Sequence, residues 1–267
     1  MASKNYGKLL LEFVDSLGVP YFYEPSFKLT AGSLLSDRYL LILYLPALKM
    51  GKQQLIYRLA SLLNMPTAYR DVISEQVLGV RELLIGFDGQ GDTSVCKFYV
   101  ENKISSVGSE TQQAFKAFKW QLDSPNVRMI DHYYLPPVTS RADILSGIKR
   151  LSGGRETQGL NAVKALFSLS AELTLTELFY MEVEGQTDEG PDAQGRSSYD
   201  LRFYDAEIEL HKVMPVITSI ATYFAVPEAA IEQLLAADKN KHFGHLSSGI
   251  GRDGKEFVTF YYGVQAV

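Results

Sequence analysis

The chain has 267 residues, of which 46% are hydrophobic and 21% are charged, as in an ordinary globular protein. Its formal net charge of −5 argues against bulk binding to nucleic acid or to an anionic membrane. The single cysteine, Cys96, excludes an internal disulfide, and the longest apolar run, residues 39–48, is roughly half a membrane span. We therefore expect one cytoplasmic domain over residues 1–267, with no membrane span and no nucleic-acid partner.

Two kinds of pattern alternate in the first half of the chain. Apolar residues at helical spacing predict helices over residues 4–17, 48–63 and 67–78. Extended patterns predict strands over residues 21–29, 38–45, 81–87 and 95–101. A Gly- and Asp-rich turn at residues 88–92 joins the last two strands into a hairpin.

The same alternation continues in the second half. Strands are predicted over residues 115–122, 127–135, 177–184, 199–209, 243–250 and 257–263, and helices over 141–151, 156–169, 211–224 and 227–237. Ser140 is a helix N-cap, and Asp253-Gly254 is a hairpin turn. Residues 185–198, rich in Gly, Asp and Ser, predict a mobile loop that proteases cut preferentially.

About ten strands in about five hairpins, most of them separated by two helices, define the expected architecture. A twisted sheet of about ten strands tends to close, and closure removes its exposed edges. The helices between the hairpins must then cover the outside. We predict an α+β fold, a closed antiparallel β-barrel of about ten strands surrounded by paired α-helices.

Alternation along the strands separates apolar from polar faces. In residues 95–101, Cys96 and Phe98 lie on one face, and Lys97 and Tyr99 on the other. Basic residues and tyrosines occupy the polar faces of other strands, at Lys119, Arg128, Tyr134, Arg202 and Tyr204. An open antiparallel sheet with one wet face has the same pattern. In a closed barrel, however, these cations share a lumen and require an anion such as diphosphate.

The Lys-x-Tyr at Lys97 and Tyr99, the Arg-x-Tyr at Arg202 and Tyr204, and the closing hairpin at residues 244–263 resemble the ABBA (α-β-β-α) barrel family of aromatic prenyltransferases. The resemblance implies transfer of a prenyl group from an allylic diphosphate to an aromatic acceptor. The chain is shorter than typical members. It also has Thr259 where bacterial members tend to have a lysine before the final aromatic pair.

The resemblance also implies roles for individual residues. The diphosphate would be held by Arg38, Lys97, Lys119, Arg128 and Arg202. The rings that wall the allylic cation would be Tyr99, Tyr134, Tyr204 and Tyr261. Glu101 shares the face of Lys97 and is the candidate general base.

The expected partners are an allylic diphosphate and an aromatic small molecule or peptide. The residues identify no cofactor, with Mg²⁺ as the one candidate, and no protein-bound metal site is predicted. An alternative function is open at this point. The same cations can pair with the carboxylates of an apolar or pigment-like ligand in a non-catalytic binder or chaperone.

Overall fold

Ten antiparallel strands close into a barrel in the computed structural model, which describes residues 4–89, 93–104, 110–187 and 195–267. The strands are β1 Tyr21–Thr30, β2 Ser33–Tyr44, β3 Glu82–Asp88, β4 Val95–Glu101, β5 Gln112–Gln121, β6 Arg128–Leu135, β7 Phe179–Thr187, β8 Ser197–Arg202, β9 Phe243–Ile250 and β10 Glu256–Tyr262. A two-residue strand, β11 Gln265–Ala266, adds to β1. Each strand pairs with the next along the chain, and β1 pairs with β10 to close the barrel. The predicted closed antiparallel barrel is confirmed.

Seven α-helices among the described residues cover the outside of the barrel. They are α1 Tyr6–Ser16, α2 Lys52–Leu62, α3 Thr67–Gln76, α4 Arg141–Leu151, α5 Gln158–Leu169, α6 Leu210–Tyr223 and α7 Glu228–Leu235. None of the helices described is long and apolar enough to cross a membrane. The predicted pairs of helices between hairpins are confirmed.

The core lies between helices and barrel, in two apolar clusters. Helices α1 to α3 pack on the outer faces of β2 to β5, where Cys96, Phe98 and Trp120 are buried. Helices α4 to α7 pack on the strands around β8 and β9, where Leu201 and Phe243 are buried. Because these strands present their apolar face outward, the alternate residues point into the lumen.

The strand prediction for residues 199–209 is wrong in its second half. Strand β8 ends at Arg202, and Tyr204–Ala206 forms a single 3₁₀ turn. Glu207 then adopts a left-handed conformation with φ of 46°, which no strand residue has. This bend carries the Tyr204 side chain to the lumen wall.

The predicted loop at residues 185–198 is shorter than expected. Strand β7 continues to Thr187, and β8 begins at Ser197. The Gly185 N–H donates to the Arg196 carbonyl at 2.8 Å, so the hairpin pairing extends into the predicted loop. Residues 188–194, the middle of that segment, lie outside the described residues.

Candidate active site in the barrel lumen

The lumen contains two adjoining cavities of about 520 Å³ and about 310 Å³. We call the larger the aromatic chamber; its walls include Leu40, Ile42, Leu84, Phe115, Met181 and Tyr204. We call the smaller the cationic end; its basic residues are Lys28, Arg38, Lys97, Lys119, Arg196 and Arg252. Residues that line both cavities form the junction between them: Asp88, Lys97, Tyr99, Tyr133, Asp200 and Tyr261.

Six basic side chains at the cationic end face fewer carboxylates. Asp88, Asp200 and Asp253 line it, and buried Asp131 contacts it from the wall. Basic side chains therefore outnumber acidic ones in a confined space, where charges are screened less than in bulk water. Such an arrangement favours an anionic ligand.

Asp88 holds two of these cations in place. Its Oδ2 lies 3.0 Å from Arg38 Nη1 and accepts a hydrogen bond of 2.6 Å from Lys97 Nζ. Burial alone would raise the pKa of Asp88, but Arg38 and Lys97 outweigh burial and hold this pKa well below its usual range. Asp88 is therefore a carboxylate that positions cations and remains ionised.

Asp131 does the same for three further cations. It is fully buried, forms ion pairs with Lys119 and Arg252, and lies 3.2 Å from Arg196 Nη1. Burial opposes ionisation of this carboxyl, yet its three basic neighbours hold its pKa well below the usual range. Lys119 lies on β5, Arg196 lies one residue before β8, and Arg252 lies in the turn between β9 and β10.

Lys28 differs from the other cations at this end. No Lys28–carboxylate ion pair is present among the described residues, and its Nζ lies 4.6 Å from the centre of the Phe257 ring. Burial, followed by the charge of Arg38, lowers the pKa of Lys28 to about 7. Burial also lowers the pKa of Lys97 and of Lys119, although the charge of the aspartate that each lysine binds acts to raise it.

Tyrosine rings form the wall of the junction. The Tyr99 and Tyr133 rings meet edge to face with centroids 5.6 Å apart. The Tyr261 ring stacks on His245 with centroids 3.7 Å apart and an interplanar angle of 12°. Burial raises the pKa of all three hydroxyls, so they stay neutral and the rings offer uncharged faces.

A buried polar cluster lies at the wall of the aromatic chamber. The Tyr204 hydroxyl donates to Glu24 Oε1 at 2.8 Å and lies 2.8 Å from His245 Nδ1. Glu24 is 1% exposed. The bend after β8 makes this cluster possible, because it turns Tyr204 back toward β1 and β9.

The structure brings most of the predicted site residues into the lumen. Arg38, Lys97 and Lys119 line the cationic end, and Tyr99 and Tyr261 line the junction. Arg202 and Tyr204 line the aromatic chamber instead, with the Arg202 guanidinium 4.8 Å from the centre of the Phe179 ring. Glu101 is an exposed residue at the rim of the chamber.

Arg128 and Tyr134 are placed on the outer face, against the expectation that they face the lumen. Arg128 pairs with Trp120, which is packed under the helices, and Tyr134 pairs with Glu182, whose carboxylate binds Arg150 of α4. The two faces of β6 are similar in polarity, so alternation alone does not show which one is buried. The lumen face carries Met129, Asp131 and Tyr133.

Several lumen residues were missed by the sequence reasoning. Lys28 and Asp200 each alternate with apolar neighbours, a signal that could have identified them, whereas Asp131 lies between Ile130 and His132 and gives no such signal. Arg196 and Arg252 lie beside a loop and in a hairpin turn, where no local pattern points inward. The pairing of β6, β7 and β8 brings Arg196 to Asp131 across Gly185, and the turn between β9 and β10 brings Arg252 to the same carboxylate.

A resident metal does not fit the carboxylates at this site. No group of three or more His, Cys, Asp or Glu side chains among the described residues is arranged to hold a metal ion. Asp88 and Asp131 already bind lysine and arginine. Mg²⁺ stays a prediction.

Comparison with known proteins gives matches by structure alone. No family model matches the sequence, and no curated protein matches it. The solved structure of 5-dimethylallyltryptophan synthase from Streptomyces coelicolor superposes with a TM-score of 0.60 at 13% identity, covering 90% of this chain and 80% of that chain. The prenyltransferase PriB, solved with L-tryptophan and dimethylallyl thiolodiphosphate, gives 0.61 at 14% identity, covering 90% and 79%.

A third match extends the likeness to a fungal protein. AnaPT from Neosartorya fischeri superposes with a TM-score of 0.52 at 11% identity, covering 90% of this chain and 77% of that chain. Identities this low show a shared fold. The fold is the ABBA barrel of the aromatic prenyltransferases.

Proposed function

We propose that this protein is an aromatic prenyltransferase, which transfers a prenyl group from an allylic diphosphate to an aromatic acceptor inside the barrel. The observation that carries the proposal is the juxtaposition of the two cavities. The cationic end, with its six basic side chains, opens onto the aromatic chamber through the junction, whose walls include tyrosine rings. An allylic diphosphate has the same division, with a polyanionic head and an apolar tail.

The cationic end is suited to the leaving group. Arg38, Lys97 and Lys119 are held by aspartates before any ligand arrives, so little reorganisation accompanies binding. The allylic C1–O bond breaks with its electron pair leaving on the diphosphate. Lysine and arginine donors then stabilise the charge that develops on the leaving oxygen.

The junction is suited to the allylic cation that remains. Faces of neutral tyrosine rings attract a cation through the ring quadrupole, by about 0.5–2 kcal/mol each. Tyr99, Tyr133 and Tyr261 line this region and are neutral, because burial raises the pKa of each hydroxyl. The acceptor ring occupies the aromatic chamber and attacks C1, and the new ring bond forms as the ring proton is lost.

Lys28 provides a basic side chain next to Thr259, where this chain differs from the pattern of the bacterial members. Lys28 and Thr259 are paired neighbours on β1 and β10, and both line the cationic end. A lysine on β1 therefore places a basic side chain beside the position where bacterial members of the family that this chain resembles tend to have a lysine. Although residue 259 is a threonine, the anion site therefore has a basic side chain at this place.

Product formation tests the proposal. The protein is incubated with dimethylallyl diphosphate and, separately, with L-tryptophan, L-tyrosine and 1-naphthol, and the products are analysed by mass spectrometry. We expect one dimethylallyl group added to at least one acceptor, and loss of this product in Lys97→Ala. An Asp205→Asn variant, altered on the exposed 3₁₀ turn, serves as the matched control. Absence of transfer to every acceptor would contradict the proposal.

A second candidate function rests on the ion pairs at the cationic end. Asp88 and Asp131 neutralise part of the positive charge, which leaves a charge excess suited to a ligand carboxylate. A non-catalytic binder of an apolar carboxylate ligand uses the same lumen. Binding of a fatty acid without binding of inorganic diphosphate would favour this second candidate.

A further inference from the structure

Asp200 lies at the junction between the two cavities. It is on β8, where it pairs with Met181 on one side and with Ser247 on the other. Its neighbours Tyr199 and Leu201 are buried under the helices, so Asp200 faces the lumen. It lines both the cationic end and the aromatic chamber.

The surroundings of Asp200 differ from those of Asp88 and Asp131. Asp88 and Asp131 each bind two or more cations, whereas Asp200 has no lysine or arginine within ion-pair distance among the described residues. Tyr99, Tyr133 and Tyr261 lie within range of its charge, which adds to burial in raising the pKa of their hydroxyls. Within the described part of the chain, Asp200 therefore has tyrosine rings around it and no ion pair, although its charge also acts on Arg196.

We propose that Asp200 is the general base of the transfer, an assignment that rests on the proposed function. The C1–O bond breaks and its electron pair leaves with the diphosphate. An acceptor ring carbon then forms the new bond to C1. The electrons of the C–H bond at that carbon restore the aromatic ring, and the proton passes to the Asp200 carboxylate.

Position favours Asp200 over the other lumen carboxylates. The proton is lost from the carbon bonded to C1, and C1 lies where the diphosphate end meets the acceptor chamber. Asp200 lines that boundary, whereas Glu101 is exposed at the far rim. Glu24 is buried in the wall behind Tyr204. A carboxylate bound to two or three cations is a weak base, which disfavours Asp88 and Asp131.

The test combines an isosteric change with a conservative rescue. We expect Asp200→Asn to lower dimethylallyl transfer about 100-fold or more, while Asp200→Glu recovers part of the rate. Inorganic diphosphate affinity, measured by calorimetry, stays equal or increases in Asp200→Asn, because a negative charge beside the anion has been removed. Thermal unfolding of each variant establishes that it is folded, and Asp205→Asn is the matched surface control.

An isotope effect separates a base from a residue that only shapes the cavity. With the acceptor deuterated on its ring, we expect a larger primary isotope effect in Asp200→Asn than in the parent, because proton loss becomes rate-limiting. A folded Asp200→Asn variant with transfer within about threefold of the parent overturns the assignment alone. A parent that transfers no prenyl group to any acceptor overturns the proposed function, and the assignment with it.

Discussion

Lys28 lies directly opposite Thr259 in the strand pairing that closes the barrel. Burial and the nearby Arg38 lower the pKa of Lys28 to about 7, so above that pH the free protein holds this lysine largely neutral. A bound polyanion favours the charged form and raises this pKa again. We therefore expect diphosphate binding to be coupled to protonation of Lys28, and also of Lys97 and Lys119, because burial lowers the pKa of these two lysines as well.

We expect diphosphate binding to take up a proton at about pH 8 and to weaken as the pH rises from about 6 to about 9. Calorimetric titration in two buffers of different ionisation enthalpy measures the uptake. Lys28→Met should remove part of the uptake, leaving the share of Lys97 and Lys119, and weaken binding about tenfold. A binding enthalpy that is independent of the buffer in the parent protein would refute this coupling.

The same lysine predicts how stability varies with pH in the free protein. Its pKa is about 7 in the folded state, below the ordinary lysine value of about 10.4, so the unfolded chain binds more protons between these two values. The contribution of Lys28 to the free energy of unfolding therefore rises with pH across that window. Urea titrations of the parent and of Lys28→Met should diverge in this range, and parallel curves would argue against it.

Asp131 should be essential for the stability of the free barrel. Replacement by Asn keeps its volume but leaves Lys119, Arg196 and Arg252 without their carboxylate. We expect the free energy of unfolding to fall by about 3–5 kcal/mol in urea titrations. Saturating diphosphate should raise the melting temperature of Asp131→Asn by more than that of the parent, since the anion replaces the lost charge. Equal shifts would place the anion elsewhere.

Tyr261 should protect the allylic cation from water. Tyr261→Phe keeps the ring face and removes only the hydroxyl, so transfer should stay within about threefold of the parent. Tyr261→Ala removes the ring that stacks on His245 and widens the junction. We expect it to release dimethylallyl alcohol at the expense of the prenylated product. An unchanged ratio of alcohol to product in Tyr261→Ala would show that this ring does not shield the cation.

Strand alternation was sufficient to predict the barrel and part of the lumen. The contrast between Cys96 and Phe98 on one face and Lys97 and Tyr99 on the other is strong, and the structure places these faces as expected. On β6 the contrast is weak, so Arg128 was placed on the wrong side. A local pattern works only where burial differs sharply between the two faces.

Long-range contacts account for what the sequence could not predict. Arg252 reaches Asp131 from 121 residues away along the chain, and Tyr204 reaches Glu24 from 180 residues away. Neither contact is predicted by the alternation of side chains along a strand or by a turn motif. The bend after Arg202 is also a tertiary effect, because the pairing of β8 with β9 ends there.

Substitutions of Lys97 and of Arg202 test which of the two cavities binds the anion. Lys97 lines the cationic end beside Asp88, whereas Arg202 lines the aromatic chamber against Phe179. We expect Lys97→Ala to weaken diphosphate binding about ten- to a hundredfold, and Arg202→Ala to change it by less than about threefold. Equal losses in both variants would place the anion between the cavities instead of at the cationic end.

We propose that the cationic end of the lumen binds a diphosphate. Calorimetric titration of the parent protein with inorganic diphosphate, at about pH 7, tests it most directly. We expect saturable binding at one site, weakened about ten- to a hundredfold in Lys97→Ala and retained in Asp205→Asn. No measurable binding by the parent, or binding that Lys97→Ala leaves unchanged, would contradict it.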